Sequence, residues 1–370
     1  MDRTVLIVAA SGRALAASAR RGGFTPLVAD FFGDQDTLAL ARAHRRLTSG
    51  WMAGMQADEV LSALAALSDG SDPIGVVCGT GFEDRPSLLA AIAKRWPLIG
   101  NSAETVARAK DPLALAALCR DCGIPHPAVS LDRPADADGW LAKRRGGAGG
   151  RHVTSELGRR RGSAVYFQRR VTGTPVSALV LADGRDARVL GFSRQWSAAT
   201  ARQPFRYGGA VAPAAVAAAT AAVLAVAAQR AAAAIPLTGL NSVDFLVDHD
   251  AFWLIEINPR PGATLDIFAP EQGSLFALHV DAWRGLLPER APARSAARAS
   301  AIVYAEHDIA FAPSVAWPEW TADRPAVGTA IGVGEPLCTV LADADTPDAA
   351  TQLLARRSDL VLSWMREKAA

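Results

Sequence analysis

Asp244 and Glu256 each stand as a single carboxylate inside an apolar run, Ser242–Val247 and Phe252–Ile257, either side of the polar break Asp248–Asp250. A lone buried carboxylate is costly unless something pairs with it. Two that face each other repel, and a cation between them removes that cost. With Asn258 close behind, the set is two carboxylates and an amide oxygen, without sulfur or imidazole. Such hard ligands suit Mg²⁺, or Mn²⁺ in its place, that keeps some waters and also binds phosphate oxygens. Arg260 follows between Pro259 and Pro261, whose rings fix φ. A stiffly mounted guanidinium beside a metal suits charge developing on a phosphoryl group. The plain alternative is that Asp244 and Glu256 are edge residues in salt bridges.

These residues need an element that brings them to one face. Both runs are rich in Val, Ile, Phe and Trp, which predicts a β-hairpin. Side chains alternate faces along a strand. A three-residue loop, His249–Asp250–Ala251, pairs Asp248 with Phe252, sets Asp244 opposite Glu256 and keeps Asn258 on their face. An even loop puts the two carboxylates on opposite faces, so the odd loop is expected.

Upstream, Thr4–Ala10 reads as a buried parallel strand, Ala14–Arg21 as a helix and Phe24–Ala29 as a second strand, the unit of a Rossmann-like sheet. Ser11-Gly12-Arg13 between them lacks the GxGxxG dinucleotide fingerprint, so NAD is not expected. Ser11 and Arg13 could instead hold a substrate anion at the helix N-terminus, or form a plain turn. Ile74–Cys78 is a further strand, and Glu83, Asp84 and Arg85 follow it, where open α/β sheets bind ligands. They are candidates for gripping substrate, with Asp84 equally suited to cap the helix at Pro86–Lys94. Lys143 precedes Gly146, Gly147, Gly149 and Gly150, a loop whose backbone N–H groups can approach phosphates.

The run Glu256-Ile257-Asn258-Pro259-Arg260-Pro261, with Asp244 upstream, resembles the metal-binding hairpin of the ATP-grasp superfamily of ATP-dependent ligases. Lys110-Asp111 and the later Gly123-Ile124-Pro125-His126-Pro127 turn agree with that resemblance, as do Lys143 and its glycine loop. The family usually has Pro after that lysine, where Arg144 stands here. The resemblance implies that Lys110, Lys143 and the glycine loop meet the nucleotide phosphates. It further implies that Gln168, in the strand Ala164–Arg170, neighbours adenine. No acidic ribose ligand is evident, since Arg169 and Arg170 stand in that region. Asp266, after the hairpin, is a further candidate for substrate contact.

The fold expected is thus α/β and α+β: a Rossmann-like unit at 1–102, a two-lobed ATP-grasp domain at 103–290 divided near 162/163, and a small β-rich C-terminal portion at 291–370. Within the last, Ala301–Ala305, Pro325–Gly328 and Gly334–Leu341 read as short strands and Thr346–Met365 as a helix. The implied activity is amide formation between a carboxylate and an amine through an acyl phosphate, with Arg260 and Lys143 catalytic. The pattern is nearest the branch that includes tyramine–glutamate ligase, which implies cofactor biosynthesis with a glutamate-type substrate. A carboxylase making carboxyphosphate, or a non-catalytic ATP sensor, are the alternatives.

Composition sets the outer bounds. The 370 residues carry 39 Lys plus Arg against 37 Asp plus Glu, a net +2 that gives no electrostatic footprint for nucleic acid. Cys119 and Cys122 have CxxC spacing but no second pair or His to complete a zinc site, so a structural role is expected. Ala214–Ala228 is too short and too alanine-rich for a membrane span and reads as part of a helix over Pro213–Ala234. The opening strand carries no signal segment ahead of it, so a cytoplasmic protein, free or as a homo-oligomer, is expected.

Overall fold

The computed structural model describes residues 3–157, 164–311 and 316–369. The expected lobe boundary at 162/163 lies outside them. The N-terminal apolar runs form a parallel sheet from β1 (Thr4–Val8), β2 (Thr25–Asp30), β3 (Ala43–Arg46) and β4 (Val76–Cys78), in the order β3-β2-β1-β4. Its helices are α1 (Arg13–Arg21), α2 (Gln35–Leu40), α3 (Ala57–Ser68) and α4 (Pro86–Ala93). Both faces are apolar because both are covered. Leu6, Val8 and Leu27 pack with Val60, Leu64 and Leu89, whereas Val5, Ile7 and Val28 pack with Leu15 of α1 and with the rest of the molecule.

Two helices follow residue 102. α5 (Ala103–Lys110) starts on the Ser102 hydroxyl, which accepts from the Thr105 N–H. α6 (Pro112–Asp121) starts on Asp111, whose Oδ1 accepts from the N–H groups of Leu113 and Ala114 at 2.9 Å each. Asp111 is therefore a helix cap, and Pro112 occupies the first position, where a missing N–H costs nothing. A small antiparallel sheet follows, from β5 (Val129–Ser130), β6 (Trp140–Arg144), β7 (Val153–Thr154) and β8 (Val165–Arg169), in the order β5-β8-β6-β7.

The main sheet has eight strands. β9 (Thr174–Asp183), β10 (Ala187–Ser197) and β11 (Tyr207–Ala212) precede α7 (Ala218–Ala234), and β12 (Thr238–Asp248) and β13 (Ala251–Asn258) form the hairpin. After α8 (Leu275–Trp283) come β14 (Ala297–Tyr304), β15 (Ile309–Ala310), β16 (Thr321–Ala322), β17 (Ala330–Ile331), β18 (Pro336–Ala344) and α9 (Pro347–Ala369). The order is β13-β12-β9-β10-β11-β14-β18-β16, so strands from beyond residue 290 extend the sheet that begins with the hairpin. Alternate residues of β9 and β12 face two covers. Val176, Ala178, Val180, Val243 and Phe245 pack on α6 and α7, while Leu179, Leu181 and Leu240 pack on α8 and the N-terminal unit.

Two expected elements differ. Pro325–Gly328 is a turn: Pro325 has no N–H for a ladder, and Gly328 takes a left-handed φ of 82°. The alanine helix begins at Ala218 and not at Pro213, because the preceding segment is tied to β10 through the Ala214 N–H and the Phe192 carbonyl. Among the described residues no helix is long and apolar enough to cross a membrane.

Candidate active site

The hairpin unites Asp244 and Glu256 by an unexpected route. Asp248 pairs with Ala251, so the loop is His249–Asp250 and even, not the odd loop expected. His249 adopts φ 51°, the left-handed conformation such tight turns require. The register would then place the carboxylates on opposite faces. A β-bulge between Asp244 and Phe245 corrects it: Phe245 pairs with Leu254 and Asp244 with Glu256, leaving Ile255 as the extra residue. Ser242 faces Asn258 in the restored register.

The polar groups on that face bind one another. The Ser177 hydroxyl of β9 donates to Asp244 Oδ1 at 2.5 Å, and the Asn258 amide donates to Asp244 Oδ2 at 2.8 Å. Lys110, at the end of α5, donates to Glu256 Oε1 at 2.6 Å and Asn258 Oδ1 at 2.8 Å. Burial and the charge of Glu256 push the Asp244 carboxyl up to about 6. Burial acts the same way on Glu256, but Lys110, His152 and Lys143 overcome it and hold that carboxyl at about 2. One carboxylate is thus neutralised by a lysine and the other strained by its neighbour.

Lys143 and Gln168 lie on one face of the small sheet, since Lys143 pairs with Tyr166 and Leu141 with Gln168. Both are buried. Burial lowers the Lys143 pKa, against the attraction of Glu256 and Asp244. Tyr166, raised by burial and by Glu256, places the same face toward the hairpin. The glycine loop is folded down at both ends. A Cβ on Gly146 would fall 2.6 Å from Asp84, and one on Gly150 would collide with the Phe205 carbonyl oxygen. The Tyr207 N–H donates to the Gly149 carbonyl at 3.0 Å. Arg151 stacks on Trp51, its guanidinium carbon 4.4 Å from the ring centre.

The N-terminal candidates take other partners than a free ligand site would need. Glu83 is 4% exposed: its Oε1 accepts from Arg260 Nε at 2.7 Å and its Oε2 from the Gly81 N–H at 2.8 Å. It orients Arg260 and has both oxygens engaged. Asp84 does not cap α4, whose N-cap is Arg85 without a side-chain bond. Asp84 is exposed and lies 3.5 Å from Arg85 and 3.9 Å from Arg144. Arg13 makes a bidentate pair with Asp266 at 2.7 and 2.6 Å and two further bonds of 3.2 Å to Asp323. The Ser11 hydroxyl also donates to Asp323, at 3.0 Å. Ser11, Arg13 and Asp266 do converge, but on each other and on Asp323, so Arg13 is spent on carboxylates and not left open for an anion.

Several residues of the site carry no motif. Ser177 and Glu83 act through contacts distant in sequence. Asn101 donates to the Pro259 carbonyl at 3.0 Å and accepts from the Thr238 N–H at 2.8 Å, holding the hairpin's outer ends. His152 is buried beneath the glycine loop, its pKa lowered to about 4 by burial. Among the described residues there is no cluster of three or more His, Cys, Asp or Glu placed for a metal. The hairpin set of two carboxylates and an amide nonetheless fits Mg²⁺. Its donors are all oxygen, and the raised Asp244 pKa marks unrelieved negative charge that a cation would relieve.

Residues 109–264 match the ATP-grasp domain family. Comparison with curated proteins returned no match. Among solved structures, the chain is similar to a Campylobacter jejuni biotin carboxylase–ATP complex, with a TM-score of 0.71 and 16% identity over 95% of this chain and 89% of that one. It is similar to the biotin carboxylase domain dimer of a Hydrogenobacter thermophilus 2-oxoglutarate carboxylase with MgADP and bicarbonate, with a TM-score of 0.72 and 13% identity over 95% and 88%. The ADP complex of an N5-carboxyaminoimidazole ribonucleotide synthetase aligns with a TM-score of 0.68 and 15% identity over 96% of both chains. At these identities the likeness establishes the fold. The chain shares the fold of these structures, and its residues 109–264 are similar to the ATP-grasp domain family.

Proposed function

We propose that the protein is an ATP-dependent ligase that activates a carboxylate as an acyl phosphate and joins it to an amine. The observation that carries the reading is the meeting of Asp244, Glu256, Asn258 and Lys110 on one hairpin face, opposite the small sheet with Lys143 and its glycine loop. ATP would lie between the two sheets, with Gln168 beside the adenine and Lys143 and Gly146–Gly150 around the phosphates. Asp244, Glu256 and Asn258 would hold Mg²⁺, which when bound neutralises phosphate charge. Lys110 would be shared between the carboxylates and the nucleotide. Arg260, fixed by Glu83, would face the phosphoryl group in transfer. Positioning and charge neutralisation supply most of such catalysis. The closed loop would keep water from the acyl phosphate.

In this reading residues 1–102 present the acceptor, 103–290 bind the nucleotide and 291–370 complete the main sheet. A glutamate-type acid and a place in cofactor biosynthesis are the finer form of the proposal. A second reading takes bicarbonate as the carboxylate, giving carboxyphosphate, and is favoured by the biotin carboxylases among the fold neighbours.

The test is ADP release with MgATP against pooled acids and amines, with bicarbonate as a separate arm, and products identified by mass. Stimulated ADP release with a mass equal to acid plus amine less water supports the ligase. A carboxylated product in the bicarbonate arm alone transfers the assignment to the second reading. ATP binding without stimulated turnover in any arm leaves a substrate outside the pool or a sensor.

A further inference from the structure

Carboxylates close Arg13 to an anion, and they outnumber it. Arg13 lies 3.9 Å from Asp36, 2.6 Å from Asp266 and 3.2 Å from Asp323, and among the described residues no other cation pairs with them. Arg324 follows Asp323, but its side chain donates to the carbonyls of Pro318, Glu319 and Thr321. A fourth carboxylate, Asp34, faces the same place: Asp323, Asp30, Asp36 and Arg13 all act on it. Asp34 stands at the N-cap of α2, where an aspartate ordinarily accepts from the first N–H groups, yet its side chain accepts none of them. It is 6% exposed, and no described group donates a hydrogen bond to its carboxylate. Asp30, by contrast, accepts from the Gly12 and Gly33 N–H groups and meets His44. The cluster is not sealed, since the side chains of Asp36, Asp266 and Asp323 stay 18, 16 and 22% exposed. Buried Tyr207 is acted on by both Asp244 and Asp266, so the cluster adjoins the hairpin carboxylates.

We propose that Asp34, with Asp36 and Asp323 beside it, is the subsite for the ammonium group of the amine substrate. The inference rests on the amine-joining reading above. A buried carboxylate without a donor is costly, and an ammonium supplies both the donors and the charge. In the free protein a proton relieves the cost, because burial and the neighbouring Asp323, Asp30 and Asp36 push the Asp34 carboxyl up to about 8. The ammonium takes the place of that proton. Among the described residues no carboxylate cluster is placed for a metal, so the cation that fits is an N–H donor. The rival role is a buried aspartic acid that keeps its proton and meets no ligand.

The test is the affinity of the full chain, by calorimetry at pH 8 and fixed ionic strength, for butylammonium and for its uncharged counterpart butan-1-ol. The variants are Asp34→Asn, which keeps the size of the side chain, and Asp121→Asn, which makes the same change in net charge at an exposed site. Wild type should bind butylammonium in preference to butan-1-ol. Asp34→Asn should weaken butylammonium by about tenfold or more, the size of one hydrogen bond to a charged group, with a melting temperature no lower than that of wild type. Asp121→Asn should stay within about twofold, as an exposed charge does. Equal affinity in Asp34→Asn and wild type overturns the proposal. So does a wild type that does not prefer butylammonium to butan-1-ol, or an equal loss in Asp121→Asn, which reads net charge alone. The measurement uses neither ATP nor turnover. Its failure is therefore distinct from failure of the ligase reading, which shows as amine-independent ADP release.

Discussion

Glu256 is held ionised by Lys110 and in turn raises Asp244 across the hairpin. Glu256→Gln removes one of the two charges that a divalent cation would meet. We expect Mg²⁺-dependent turnover to fall by about a hundredfold or more with little change in melting temperature, and unchanged turnover would refute the metal role. Lys143→Ala should raise the ATP requirement by about tenfold, the value of one charge-assisted contact; an unaltered ATP dependence would move that contact elsewhere. The carboxylates and the amide were legible because each is an odd polar residue in an apolar run. Their route to one face was not. Counting from a presumed loop cannot anticipate a bulge, and here an even loop and one bulge together give the pairing expected from an odd loop alone. Glu83 was misread for another reason: its partner Arg260 lies in a different element, and strand-end position alone suggests a ligand.

At the scale of elements, the break between α5 and α6 falls at Asp111-Pro112, a cap followed by a first-turn proline. The placement of β12 depends on a residue with no such signature. His279 of α8 accepts from the Leu240 N–H at 2.8 Å through Nδ1 and, on its other side, lies 3.0 Å from the Ile99 carbonyl. That pairing requires the neutral ring with hydrogen on Nε2, and burial lowers its pKa to about 4. The unfolded chain therefore takes up the proton first as pH falls. The contribution is complete above about pH 6.5 and lost on descending toward pH 4, about 3 kcal/mol at most. Denaturant midpoints measured from pH 4 to 7 should show a shallower dependence in His279→Asn than in wild type; parallel curves would contradict this. β3 and α2 had no legible pattern, because their apolar residues are few and β3 is a strand only through its pairing with β2; α3, with Val60, Leu64 and Leu67 buried at helical spacing, did carry one.

Over the whole molecule, the N-terminal unit and the far end of the chain are locked together by carboxylates. Asp36 accepts from the Asp323 and Arg324 N–H groups at 2.9 and 3.0 Å, and Arg13 joins Asp266 to Asp323. Nothing local in the sequence joins Arg13 to Asp323, and the C-terminal strands looked like an appendage until β14 paired with β11. Asp34 beside this joint is pushed up to about 8 by burial and by Asp323, Asp30 and Asp36. Its folded pKa exceeds the unfolded one, so the folded state holds the proton and stability falls as pH rises from about 4 to 8. Asp34→Asn should be more stable than wild type at pH 8 by ~1–3 kcal/mol, with the difference shrinking toward pH 4. A difference independent of pH would contradict that account.

The central claim is that a substrate carboxylate attacks the terminal phosphorus of ATP. Transfer of ¹⁸O tests it most directly. With the active acid labelled in its carboxylate, and MgATP and amine present, the phosphate released should carry one ¹⁸O atom. Phosphate free of label, with product still formed, would mean that the carboxylate oxygen never bonds to phosphorus, and the acyl-phosphate mechanism would be wrong.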